Sequence, residues 1–178
     1  MRVITGSARG MRLASPDGPD TRPTADRVKE AVFSMIQFET EGRRALDLFA
    51  GSGQMGIEAL SRGAERAVLV ESDRRAAELI RANLEKTGLA GKAAVMNTDA
   101  LMFLQSGTEL FDIVFMDPPY GRGLIERALP LAAARMSPGG VIICELPARE
   151  AAPPAAGEFK LTKQNRYGRT AIAVYRIS

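Results

Sequence analysis

The chain has 178 residues, 46% of them hydrophobic and 25% charged, the proportions of one globular domain that can bury a sizeable core without covalent staples. A single cysteine, Cys144, excludes an intramolecular disulfide framework and multi-cysteine metal sites, and the absence of histidine excludes His-based triads and HExxH metalloproteases. The net charge of +3 is unevenly spread: eight cations and no acid lie in residues 1–12 and 159–178, which leaves the middle of the chain at −5. An acidic body with basic ends suits a nucleic-acid partner held at those ends, and equally suits plain solubilising termini. No apolar run approaches the ~20 residues that span a bilayer, and no leader-like stretch opens the chain. A cytoplasmic protein without a bound metal is expected.

In chain order, residues 2–5 and 11–14 are expected to pair as strands around a turn at 6–10. Residues 15–23, rich in Pro, Gly and Asp, then form a seam. The expected division is therefore a hairpin extension and linker over 1–22 and a main domain over 23–178. Thr24 is a suitable N-cap with Asp26 in the first helical turn, and Val28, Ala31, Val32, Met35 and Ile36 share one helical face. Strand-like runs follow at 45–49, 67–71, 93–96, 111–116 and 140–145, alternating with helical windows at 54–62, 73–87, 99–105 and 122–135. Such alternation predicts an α/β fold with a mostly parallel sheet and helices on both faces. Two last runs, 159–162 and 171–176, joined through 164–168, predict a closing antiparallel hairpin at one sheet edge.

After the first strand of that series stands Asp47-Leu48-Phe49-Ala50-Gly51-Ser52-Gly53-Gln54-Met55-Gly56, an intact G-x-G-x-x-G, and Glu71 ends the next strand 20 residues beyond Gly51. Glycine lets the turn tighten and lets a ligand approach the backbone. Three readings fit: a plain strand-to-helix turn, a dinucleotide pyrophosphate held on the helix N-terminus, or S-adenosylmethionine. Asp47 puts negative charge where a phosphate would be repelled and a sulfonium or ammonium welcomed, which favours S-adenosylmethionine. Asp99, after the third strand, can accept a hydrogen bond from an adenine amino group or simply cap the helix that follows.

The fourth strand ends in Asp117-Pro118-Pro119-Tyr120. Two prolines fix φ and withhold backbone donors, so a carboxylate, a carbonyl and an aromatic ring project rigidly. Asp117 and the Pro118 carbonyl suit the two hydrogens of an exocyclic amine, and Tyr120 suits stacking on the base. Catalysis would then rest on placement rather than a proton relay, in keeping with a chain that has no histidine.

Together with Arg22-Pro23-Thr24-Ala25-Asp26-Arg27-Val28-Lys29-Glu30-Ala31-Val32-Phe33, the glycine loop and Asp117–Tyr120, the sequence resembles the RsmD-type 16S rRNA guanine-N2 methyltransferases of bacteria. The resemblance extends from the Arg2-Val3-Ile4-Thr5-Gly6 opening to Tyr167-Gly168, with Gln54-Met55 in the loop where many relatives carry Ala-Leu. It implies a Rossmann-like class I S-adenosylmethionine-dependent methyltransferase with a seven-stranded sheet, preceded by a small N-terminal β-hairpin. It implies S-adenosylmethionine bound by Asp47, Phe49, Ala50, Gly51, Ser52, Gly53, Gly56, Glu71, Ser72, Asp99, Ala100 and Asp117. The catalytic group would be Asp117, Pro118, Pro119 and Tyr120. The implied partner is 16S rRNA in a small ribosomal subunit, met by a monomer through Arg2, Arg9, Arg12, Arg22, Arg27, Arg166, Tyr167 and Arg169. For Arg22 and Arg27 the competing reading is an ion pair with Asp26 or Glu30, and for Tyr167 it is packing in the hairpin. An adenine-N6 methyltransferase and an NAD-binding oxidoreductase remain the rival functions. Cys144, inside an apolar strand, is expected to be buried and inert.

Overall fold

A computed structural model describes residues 1–16 and 23–177. The first helix, α1 (Pro23–Met35), begins at Pro23, whose fixed φ and missing N–H suit a first helical position. Thr24 therefore lies inside the first turn rather than at the cap position, while Arg22 falls outside the described residues. Five parallel strands follow, β1 (Arg44–Leu48), β2 (Arg66–Val70), β3 (Ala93–Met96), β4 (Phe111–Met116) and β5 (Met136–Pro147). The connecting helices are α2 (Gln54–Ser61), α3 (Arg74–Thr87), α4 (Ala100–Ser106) and α5 (Leu124–Ala133).

The chain ends in β6 (Ala155–Ala156), β7 (Phe159–Tyr167) and β8 (Thr170–Ile177), the last antiparallel to β5. The single sheet has eight strands in the order β3-β2-β1-β4-β5-β8-β7-β6, not the expected seven. The additional strand is two residues long and pairs only with the start of β7, too short for a periodic signal in the sequence. β7 also runs on through residues expected to form the turn. The reversal is the two-residue Gly168-Arg169, with Gly168 at φ 64°, the left-handed geometry that tight hairpins need.

Strand alternation sorts the core onto two faces. Ala45, Ile113, Phe115, Ile143, Ile172 and Val174 point toward α1, α2 and α3; Leu46, Val114, Met116, Ile142 and Cys144 point toward α4 and α5. The topology reverses direction between β1 and β4, and at such a switch point the strand carboxyl ends leave a crevice.

The N-terminal segment makes a single antiparallel bridge, Arg2 with Arg12, in place of the two expected strands, flanked by Val3 N–H to Met11 O at 2.9 Å. It is bound tightly to the body. Val3, Ala8 and Leu13 are buried in the core. The buried Glu58 of α2 accepts from the N–H groups of Ile4 (2.8 Å) and Thr5 (3.0 Å) and from Arg62 Nε (2.8 Å). Lys29 Nζ lies 3.7 Å from Glu58 and donates to the Arg2 carbonyl. Gly6, at φ 89°, is so close to α2 that a Cβ would stand 1.7 Å from the Ser61 carbonyl oxygen. Asn83 ties this arm to the glycine loop, donating to both Ala14 O and Ser52 O.

Candidate active site

At the carboxyl ends of β1, β2, β4 and β5 opens a cleft of about 480 Å³. Its walls include Phe49, Gly51, Glu71, Ser72, Asp99 and Ala100 on one side and Asp117, Pro118, Pro119, Tyr120 and Glu145 on the other. Two motifs 66 residues apart in sequence meet because β1 and β4 are hydrogen-bonded neighbours, Leu48 opposite Met116.

The glycine loop is built by the chain's own close packing. Gly51 and Gly53 adopt left-handed φ of 56° and 77°, and Phe49, a non-glycine residue in the cleft wall, is held at φ 60°. A left-handed conformation disfavours side chains that have a Cβ. A Cβ on Gly56 would stand 2.7 Å from the Leu69 side chain, so this glycine lets α2 seat against β2. No Cβ contact limits Gly51, which faces open space.

The acids of this half are hydrogen-bonded within the protein. Glu71 accepts from Gly51 N–H (2.8 Å) through one oxygen and from Asp73 N–H (2.9 Å) through the other, so each oxygen keeps a further acceptor position. Asp99 caps α4, accepting from Leu101 (2.9 Å) and Met102 (3.0 Å) through Oδ1. The capping reading of Asp99 is borne out, and the residue also lines the cleft.

Asp47 differs from the expectation. It is 4% exposed, does not line the cleft, and accepts from Gly56 N–H at 2.8 Å. The alternation that points Asp47 beneath α2 makes it a brace for the first helical turn. Burial, opposed by the Gly56 hydrogen bond and aided by the Glu71 charge, pushes its carboxyl up to about 7. Ala50, Ser52, Gly53 and Gly56 likewise stand behind the cleft surface.

In the other half, Met116 pairs with Cys144, so the next residues, Asp117 just past β4 and Glu145 within β5, lie side by side. The Asp117 carboxylate has no hydrogen-bond partner among the described residues. Loss of hydration in the cleft, then the charges of Glu145 and Asp47, raise its carboxyl above the usual range although its outer side meets solvent. Glu145 is raised for the same leading reason. The Tyr120 hydroxyl (3.3 Å) and the Thr170 hydroxyl (3.2 Å) both meet Glu145 Oε1. Glu145 was missed in the sequence, although an acid at the carboxyl end of a parallel strand is the available signal. Thr170 carried none, since only the β5–β8 pairing brings it to the site.

Arg2, Arg9, Arg12, Arg27, Arg166 and Arg169 are exposed, and none pairs with an acid among the described residues. Arg176 is instead committed to a two-pronged pair with Glu39 (2.7 and 2.8 Å). Tyr167 is half-buried against the core on the α1 side. Cys144 is fully buried, and burial pushes its thiol well up, so it is inert. No described helix is long and apolar enough to cross a membrane.

The family model described as conserved hypothetical protein 95 matches residues 1–176. The ribosomal RNA small subunit methyltransferase D of Escherichia coli K12 is 38% identical over 99% of this chain and 89% of its own length. The solved structure of yhhF from Escherichia coli is 35% identical and superposes with a TM-score of 0.87, covering 100% of this chain and 98% of that one. A hypothetical protein of Thermus thermophilus is 32% identical with a TM-score of 0.82, covering 98% of each chain. The chain belongs to the conserved hypothetical protein 95 family, the family of the ribosomal RNA small subunit methyltransferases D.

Proposed function

We propose that the protein transfers a methyl group from S-adenosylmethionine to the exocyclic N2 amine of a guanine in 16S rRNA, acting as a monomer on the small ribosomal subunit in the cytoplasm. One observation carries the choice of cofactor. The described residues lining the cleft include four acids, Glu71, Asp99, Asp117 and Glu145, and no lysine or arginine. A pyrophosphate would meet acidic side chains and no cation among these lining residues, whereas a sulfonium and an ammonium are attracted. The dinucleotide reading has no such support.

S-adenosylmethionine, when bound, supplies an electrophilic methyl group on a positively charged sulfur. The free acceptor positions of Glu71 suit the ribose hydroxyls, and Asp99 suits the adenine amino group. Phe49, Gly51, Ser72 and Ala100 shape the wall between them, with Ala50, Ser52, Gly53 and Gly56 holding the loop from behind and Asp47 bracing it. Asp117 and the Pro118 carbonyl accept the two hydrogens of the target amine, Pro119 stiffens the turn, and Tyr120 offers its ring to the base. An amine held so presents nitrogen to the methyl group, and the proton it sheds has the Asp117–Glu145 pair as its nearest acceptor. Residues 1–22 serve as an extension supporting the methyltransferase domain of 23–178. Arg2, Arg9, Arg12, Arg22, Arg27, Arg166, Tyr167 and Arg169 take the rRNA backbone and bases.

Calorimetry with S-adenosylmethionine and NADH, followed by labelled methyl transfer onto rRNA and subunits from a strain lacking the gene, tests this reading. Binding of the first ligand and a mapped N2-methylguanosine are expected. NADH binding, or label on an adenine N6, overturns it.

A further inference from the structure

Resting on that reading, we infer that Glu145 selects the base, accepting the N1–H of guanine through Oε2 beside the amine held by Asp117. Three strands assemble the arrangement. Asp117 follows β4, Glu145 lies near the carboxyl end of β5, and Thr170 opens β8. Phe115, Ile143 and Ile172 share one sheet face, so Asp117, Glu145 and Thr170, each two residues away along its strand, project to that same face. The Thr170 and Tyr120 hydroxyls both engage Oε1, fixing the carboxylate plane, while Oε2 receives no hydrogen bond among the described residues. An ionised carboxylate only accepts. It has a free oxygen in a cleft where the neighbouring Asp117 is also without a donor.

The edges of the bases differ in what they offer such a pair. Guanine presents N2–H₂ and N1–H side by side, two donors for two adjacent acceptors. Adenine and cytosine each present an amine beside a ring nitrogen lone pair, which would face the Glu145 oxygen acceptor to acceptor. A site built to receive a hydrogen bond rejects an analogue that lacks the donor far more strongly than it rejects a missing methylene. Asp117-Pro118-Pro119-Tyr120 alone receives any exocyclic amine. Glu145 supplies the discrimination that this motif lacks.

The test uses 2-aminopurine, which keeps the N2 amine but carries a lone pair at N1. Small-subunit rRNA bearing guanine or 2-aminopurine at the mapped target, introduced by splinted ligation, is presented to the wild type and to Glu145→Gln. The wild type should favour guanine by about 100-fold or more in kcat/KM. In Glu145→Gln the amide can donate to the N1 lone pair, and the preference should shrink below about tenfold or invert. Selectivity that stays at the wild-type ratio in a folded Glu145→Gln overturns the inference. Failure of the wild type to methylate guanine at all overturns the functional reading beneath it. If Glu145→Gln does not fold, Thr170→Val carries the same measurement: freeing Oε1 should narrow the ratio severalfold, and an unchanged ratio would count against the proposal.

Discussion

The two halves of the cleft treat their carboxylates in opposite ways. On the glycine-loop side every acid is engaged by backbone N–H groups: Asp47 by Gly56, Glu71 by Gly51 and Asp73, Asp99 by Leu101 and Met102. On the Asp-Pro-Pro-Tyr side, Asp117 has no donor among the described residues and Glu145 has hydroxyls on one oxygen only. The first half is hydrogen-bonded within the protein, and it is braced from beneath by the N-terminal arm through Asn83. The second is short of donors among the described residues. Packing engages the former, and the latter keeps acceptor oxygens that no described donor meets.

Substitutions can separate the halves. Asp117→Ala should have the largest effect, lowering turnover by about 10³-fold or more while S-adenosylmethionine affinity, read by calorimetry, stays near the wild-type value. Equal loss of both would mean that the halves are one unit. Glu71→Ala should do the reverse. It removes an acceptor and frees the Gly51 and Asp73 N–H groups, weakening cofactor binding by about 1–3 kcal/mol. An unchanged Kd would remove Glu71 from the cofactor site.

The smallest effect concerns Asp47 and is a dependence on pH. Its carboxyl is raised to about 7 in the folded protein from an ordinary 3.8. Between those values the folded state keeps a proton that the unfolded chain releases, so this group's contribution to stability falls as pH rises through the window and is level above it. Asp47→Asn mimics the protonated form and keeps an acceptor for Gly56 N–H. Its Tm relative to wild type should therefore be higher at pH 8 than at pH 5, and a difference constant with pH would show that Asp47 is ionised throughout.

Much of the fold was legible because the relevant signals are local. The β1 to α5 alternation follows the runs of apolar residues, Asp73 and Asp99 cap helices where Asp is favoured, and Gly88 ends α3 at φ 71°. The site was legible where glycine or proline marks it. It was not legible at Glu145 and Thr170, ordinary residue types in a strand, nor at Glu58 and Lys29, charged helix residues that carry no local mark. Those two are buried because the arm docks on them, and the contact of Ile4 with Glu58 joins residues 54 apart in sequence.

By itself the sequence determined the α/β class, the glycine turn and the rigid Asp-Pro-Pro-Tyr tip, because each depends on backbone freedom within a few residues. Only the tertiary structure decided which acids face the cleft. The two-residue period of β1 turns Asp47 beneath α2, while the pairing of β4, β5 and β8 brings Asp117, Glu145 and Thr170 to one edge. Side-chain direction and strand order are properties of the assembled sheet, and local sequence does not encode them.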